Sequence, residues 1–368
     1  METAALTEQE RQAFRLQILT WYRRNARDLP WRRTRDPYCI WVSEVMLQQT
    51  RVATVVDRYT KFIARFPSLV SLALAKEDEV LALWSGLGYY RRARLLHSAA
   101  QLLVNEHGGS LPRAALELRR LPGVGDYTAA AIASISYKEP VAVVDGNVER
   151  VLTRVLGKSA GRRAGLAARI KETAGWLLDS TAPGTFNQAI MELGATVCLP
   201  QGPRCADCPI YEFCRTRGVH AVPPRKQMAS RQTYCALVKK STGSGARKAA
   251  VLLVQRPTSA AQMPGMWELP TLTEHALGRL GVSEPVLRIR HAITNTNYYV
   301  QVFAVEAKEL AGLALPSGPE RQDWVAASKL DEIPLTGLAR KILMRLDVMA
   351  KPRQVRQGKA LPGADEFL

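Results

Sequence analysis

The sequence predicts an α+β protein of two domains, an all-helical domain followed by an α+β domain, and three observations carry that expectation. The chain has 368 residues, too many for one ordinary small core and enough for two. From residue 8 to about 197 the apolar residues recur mostly at helical spacing, as in EVMLQQTRVATVVDRYTKFIARF (44–66) and YYRRARLLHSAAQLLVNEH (89–107). After residue 231 the pattern changes to short β-rich runs, YCALVKK, AVLLVQR, VLRIRHAI and YYVQVFAVE, closed by a helix-like LTGLARKILMRLDVM.

The elements follow in order. Breaks at Pro67, Gly108-Gly109, Pro112, Pro122-Gly123, Pro140 and Pro183-Gly184 divide the first half into about ten helices. A four-cysteine segment closes that domain, set at residues 1–216. Residues 217–231 are rich in proline and basic side chains without an apolar period and read as a linker. The second domain is expected over 232–348, and the basic tail 349–368 reads as disordered.

Composition limits the function classes. With 47% hydrophobic and 23% charged residues, and no run of about 18 uncharged apolar residues, the chain reads as a soluble globular protein. The N-terminal METAALTEQERQAF lacks the apolar core of a secretory signal, so an intracellular location is expected. Lysine plus arginine outnumber aspartate plus glutamate 51 to 33, a net charge of +18. That excess favours a polyanionic partner, nucleic acid first, over a merely solubilising surface.

Four of the six cysteines fall in ATVCLPQGPRCADCPIYEFCRTRG, spaced Cys198-x6-Cys205-x2-Cys208-x5-Cys214. Four thiolates so close can wrap one metal centre, and spacing alone admits zinc or an iron–sulfur cubane. Cys39 and Cys235 stand apart in apolar surroundings and read as ordinary buried thiols.

In LRRLPGVGDYTAAAIASISY (118–137), Leu121-Pro122-Gly123-Val124-Gly125 lies between two helical stretches. The glycines permit a tight turn and uncover backbone N–H groups at the start of the second helix, where a phosphate can bind. About twenty residues on, EPVAVVDGNVERVLTRVLG (139–157) places Asp145 at a helix start, either as a plain N-cap or as a carboxylate facing a site.

Hairpin, aspartate and cysteine loop together resemble the endonuclease III superfamily of helix-hairpin-helix DNA glycosylases. The resemblance implies a [4Fe-4S] cluster on Cys198, Cys205, Cys208 and Cys214, and DNA contact through Leu121, Gly123, Val124 and Gly125. It also implies that Asp145 stabilises positive charge at the anomeric carbon, by its field or as a transient nucleophile.

Two further residues choose the branch. Lyases of the superfamily carry a lysine two residues after the last hairpin glycine, where this chain has Tyr127; a phenol forms no Schiff base, so a monofunctional enzyme is expected. LPWRRTRDPYCIWVSEVMLQQTRV (29–52) resembles the MutY adenine glycosylases, with Glu44 on a helix expected to begin near Trp41. Flanked by Val42, Val45, Met46 and Leu47, Glu44 suits an inward carboxyl of raised pKa.

Adenine leaves poorly unless a ring nitrogen is protonated, so an acid above the base and a negative charge near the sugar are both needed. The resemblance assigns Glu44 and Asp145 to those roles. It adds Tyr127 and Asn147 as hydrogen-bonding partners, and Trp31 and Arg32 to the base pocket. A stacked adenine must be flipped out, and the wedge elements match Gln48, Gln49, Leu87, Gly88 and Tyr89.

MutY proteins add a MutT/Nudix-like domain that reads 8-oxoguanine, which 232–348 resembles through MPGMWELPTL. The long magnesium-binding Nudix signature is missing, so no pyrophosphatase is expected. The usual Phe-Ser-His of the lesion-reading hairpin is replaced by Ile293, Thr294 and Asn295. The implied partner is double-stranded DNA with adenine opposite 8-oxoguanine or guanine, acted on by a monomer with no membrane association.

Overall fold

The computed structural model describes residues 6–157, 165–219, 227–241, 249–282, 284–293, 295–311, 313 and 320–350. Thr294 and the tail 351–368 lie outside the described residues.

The first domain is helical: α1 (Glu8–Asn25), α2 (Pro37–Leu47), α3 (Val52–Arg65), α4 (Leu69–Ala73), α5 (Glu77–Trp84), α6 (Arg91–Glu106), α7 (Ala115–Leu118), α8 (Asp126–Tyr137), α9 (Gly146–Val155), α10 (Leu166–Leu177) and α11 (Pro183–Thr196). Helix α2 starts at Pro37, four residues before the expected Trp41. The Asp36 carboxylate accepts from the Tyr38 N–H at 2.8 Å, and proline at the first helical position is pre-set for the turn. The earlier start carries Glu44 into the middle of a helix buried from Ile40 to Met46.

Two cores divide this domain. One gathers Trp41, Val45, Met46, Phe62, Trp84, Leu96, Ile132 and their neighbours from α2–α8. The other gathers Phe14, Ile18, Val151, Leu177, Phe186 and Leu193 from α1 and α9–α11, with Ile210 of the cysteine loop. Helices α8 and α11 meet across the seam. Asn187 fixes the strand-like segment there: its amide accepts from Val143 N at 3.1 Å and donates to Ser134 Oγ and Val141 O, each at 2.9 Å.

The second domain contains β1 (Ala229–Leu237), β2 (Lys239–Ser241), β3 (Ala249–Gln255), β4 (Trp267–Glu268), β5 (Thr271–Leu272), α12 (Glu274–Leu280), β6 (Leu287–Ile293), β7 (Thr296–Ala304), α13 (Ala307–Ala311), β8 (Arg321–Ala326) and α14 (Gly337–Arg345). One sheet runs β5-β1-β7-β6 and the other β2-β3-β4, with β8 also on β3. Strands β1 and β7 are parallel, Ala229 opposite Thr296 through Leu237 opposite Ala304. Residues 229–231, expected in the linker, are therefore strand, because β7 offers them a ladder. Met349, expected in the tail, is buried in the core with Val348.

The domains touch through polar and apolar contacts. Ser85 Oγ and Tyr90 OH both donate to Leu335 O, at 3.2 and 2.9 Å, and Arg94 donates to Pro264 O at 2.7 Å. Met266, fully buried, joins the first domain's core. No helix among the described residues is long and apolar enough to cross a membrane.

Candidate active site

A cleft of about 870 Å³ opens at the seam between the two helical cores. Trp31, Arg32, Glu44, Gln48, Gln49 and Tyr127 line one side, while Asp145, Asn147, Arg150, Gln188, Met191 and Glu192 line the other. Such a volume accommodates a nucleobase and its sugar.

Glu44 is 5% exposed and receives a hydrogen bond from the Tyr127 hydroxyl. Burial raises its carboxyl pKa to about 7; the Tyr127 bond lowers it, the charge of Asp145 raises it, and Arg32 lowers it. Near neutral pH the group is thus poised between acid and base. Burial, followed by the neighbouring Glu44 charge, pushes the Tyr127 phenol well above its ordinary value, so it remains a donor.

Asp145 caps α9. One carboxylate oxygen accepts from Asn147 N at 2.9 Å and Val148 N at 2.7 Å, and the other from the Asn147 side chain at 2.8 Å. Cap and site-facing carboxylate, alternatives in the sequence, coincide here: the helix N-terminus holds the acid, and the acid lines the cleft. Asn147 in turn packs under α11, where a Cβ on Gly194 would sit 2.6 Å from that of Asn147. Only glycine admits this approach.

Glu192 is a second buried acid that the sequence reading missed. Burial pushes its pKa up, but bonds from Arg27 Nε and NH2, each at 2.7 Å, and from Arg32 at 2.8 Å prevail and hold it at about 2. Arg32 also lies over the Tyr22 ring, its guanidinium carbon 5.4 Å from the centroid, and Trp31 meets Tyr59 edge-on. Arg32 is therefore a clamped wall of the cleft. Glu192, the single charged residue of α11, on the stripe Gln188, Met191, Glu192 and Ala195 at helical spacing, was the available signal.

The hairpin turn carries Gly123 at φ +77°, and a Cβ there would meet that of Leu95 at 2.7 Å. Leu121 and Val124 are buried, so the turn's polar groups are the backbone N–H groups at the start of α8, which have no partner within the helix. Of the expected wedge residues, Gln49 and Tyr89 are exposed and both have positive φ, 55° and 47°. Leu87 is buried, and Gln48 is tied to Thr128 Oγ1 at 3.2 Å. Ile293 ends β6, and Asn295 O accepts from Ala229 N at 2.9 Å.

All four clustered cysteines line one small cavity with Arg154, Tyr211 and Arg217. Arg154, 2% exposed, donates to Cys198 Sγ at 3.2 Å and Leu199 O at 2.7 Å, and Arg217 N donates to Cys214 Sγ at 3.4 Å. Among the described residues no group of three or more His, Cys, Asp or Glu side chains is placed to hold a single metal ion. Arg150 connects it to the cleft: its guanidinium bonds Cys198 O at 2.8 Å and Asn147 Oδ1 at 2.9 Å. Cys235 is buried as expected, and Cys39 is half-buried.

Residues 42–173 match the family model of HhH-GPD superfamily base excision DNA repair proteins. A thermostable thymine-DNA glycosylase structure is similar at TM-score 0.53 and 31% identity, over 57% of this chain and 97% of that one. The chain belongs to the HhH-GPD superfamily. This HhH-GPD protein is also similar to adenine DNA glycosylase of Mus musculus, 43% identical over 71% of this chain and 61% of the relative, and to that of Homo sapiens, 41% identical over 71% and 58%. It spans about three fifths of the length of those curated relatives.

Proposed function

We propose that this chain is a monofunctional adenine DNA glycosylase that removes adenine mispaired with 8-oxoguanine or guanine. The observation that carries the reading is the pairing in one cleft of a buried Glu44, poised near neutrality under Tyr127, with Asp145 capped by Asn147. The similarity to adenine glycosylases supports it.

Glu44 delivers a proton to a ring nitrogen of the flipped adenine, and the glycosidic C–N bond breaks as adenine departs. Asp145 offers negative charge to the electron-poor sugar carbon. The oxygen of a water then bonds that carbon, and the water's proton returns to Glu44. Tyr127 and Asn147 orient the two acids. No lysine stands at Tyr127's position, so strand cleavage by Schiff base is not expected.

The four cysteines suit a [4Fe-4S] cluster, because they wall one cavity and two N–H groups already point at their sulfurs. Such a cluster, held by Cys198, Cys205, Cys208 and Cys214, would cross-link the loop. The second domain is read as MutT-like and lesion-recognising through the β6–β7 hairpin, including Ile293 and Asn295, with Thr294 between them.

The test is single-turnover adenine release from duplexes pairing adenine with 8-oxoguanine, guanine or cytosine. Release opposite the first two, lost in Glu44→Gln and Asp145→Asn, is expected; normal activity in either variant sinks the assignment. Efficient borohydride trapping on an abasic site would instead indicate a lyase.

A further inference from the structure

Arg92, at the start of α6, contacts three separate segments of the first domain. Its NH1 donates to Val45 O at 2.5 Å and Met46 O at 3.0 Å, the carbonyls just after Glu44 on α2. Its NH2 donates to Thr50 Oγ1 at 3.1 Å and to Leu87 O and Gly88 O, each at 3.2 Å. The guanidinium carbon also lies 5.5 Å from the ring centroid of Trp84 and 5.6 Å from that of Tyr89. One planar fork thus joins three backbone segments: the end of the Glu44 helix, the 48–50 loop and the 87–89 loop.

Those two loops have the strained backbone of the region. Among the described residues six non-glycine residues have positive φ, and two of them, Gln49 and Tyr89, are the exposed tips of these loops. Left-handed backbone is unfavourable for a non-glycine residue, so the surroundings must hold it. Thr50 Oγ1, 3.2 Å from both Gln48 O and Leu87 O, adds a second bridge between the loops. A lysine presents one compact charge and cannot reach all of these acceptors as the planar fork does.

We propose that Arg92 is a positioning residue that locks the two DNA-entering loops to each other and to the end of the Glu44 helix, so that opening the duplex and presenting the base to Glu44 occur in one geometry. This rests on the glycosylase reading above. The fixed spacing lets Gln49 and Tyr89 enter the duplex as a single wedge, and the shared anchor on Val45 and Met46 ties their position to the acid.

The experiment uses the full chain at saturating concentration on an adenine:8-oxoguanine duplex, with 2-aminopurine beside the target adenine to report unstacking. Arg92→Met and Arg92→Lys are both expected to slow the fluorescence step ~10- to 100-fold, the scale of a 1 Å misplacement. The pH midpoint of base release should stay at the wild-type value, since Glu44 keeps its partners; a merely destabilised protein would show a lowered melting temperature with an unchanged fluorescence step. Thr50→Val, which removes one acceptor and one bridge, should slow the step in the same direction by less, and it carries the test if Arg92→Met fails to fold. An unchanged fluorescence step in the folded variants overturns the proposal, as does a shifted pH midpoint with normal unstacking. Wild-type protein that unstacked the duplex but released no base would sink the glycosylase reading, and with it the presentation of the base to Glu44, while a slowed fluorescence step in the variants would still establish the locking of the two loops.

Discussion

Two glutamates face the same cleft, both almost out of reach of solvent, and their surroundings drive them in opposite directions. Glu44, against apolar neighbours and a single phenol, is raised to about 7, whereas Glu192, held by two arginines, is lowered to about 2. Burial acts upward on both. What differs is the number of cationic donors, and that decides which carboxyl can exchange a proton at neutral pH and which is a fixed charge holding the wall.

The comparison breaks most directly at Glu44. Glu44→Gln keeps the shape and removes the exchangeable proton, and the single-turnover rate of adenine release should fall ~10²- to 10⁴-fold, the range of general acid catalysis. The corresponding change at Glu192 should appear in stability instead: Glu192→Ala leaves Arg27 and Arg32 without their shared anion and is expected to cost about 3–5 kcal/mol in denaturant unfolding. A Glu192 variant of wild-type stability would show that the clamp is dispensable.

The same pair predicts opposite pH dependences of stability. Glu44 is raised in the folded state from an unfolded 4.5 to about 7, so its favourable contribution is complete below 4.5 and is lost as pH climbs through 7. Glu192 is depressed to about 2, so its contribution is present above 4.5 and lost as pH falls through 2. Each is worth about 3 kcal/mol at most. Glu44→Gln should therefore gain stability relative to wild type between pH 5 and pH 8, measured by thermal unfolding at both.

Smaller effects sharpen the picture. The Tyr127 hydroxyl favours the charged form of Glu44, so Tyr127→Phe should move the midpoint of the pH–rate profile upward, and a downward shift would contradict the hydrogen bond. Arg150→Met should loosen Asn147 and, through it, Asp145, lowering the rate with little change in that midpoint.

Much of this was legible in the sequence because it depends on local spacing. The helical first half, the glycine turn before α8 and the clustering of the four cysteines follow from residue type and interval, whereas Glu44 and Asp145 stood out as a pair only through the family resemblance. Elements that depend on distant partners were not legible. The strands Trp267–Glu268 and Thr271–Leu272 are two residues each, too short for a period. Strand β8 exists through its ladder with β3. Met266 is apolar in a loop, and nothing in its neighbourhood indicates that it fills the other domain's core. Glu192 was readable only as the single charge of α11, on a stripe at helical spacing; its meaning came from Arg27 and Arg32, some 160 residues away. The start of α2 differs in kind, since Asp36-Pro37 carried the cap signal locally and the apolar run from Ile40 obscured it.

The pH dependence of single-turnover adenine release from an adenine:8-oxoguanine duplex reads the proton proposed to reside on Glu44. The rate should be high below neutrality and fall about tenfold per pH unit above roughly 7, with the residual activity of Glu44→Gln flat across that range. A wild-type rate that stayed level or rose through pH 7–9 would contradict that assignment.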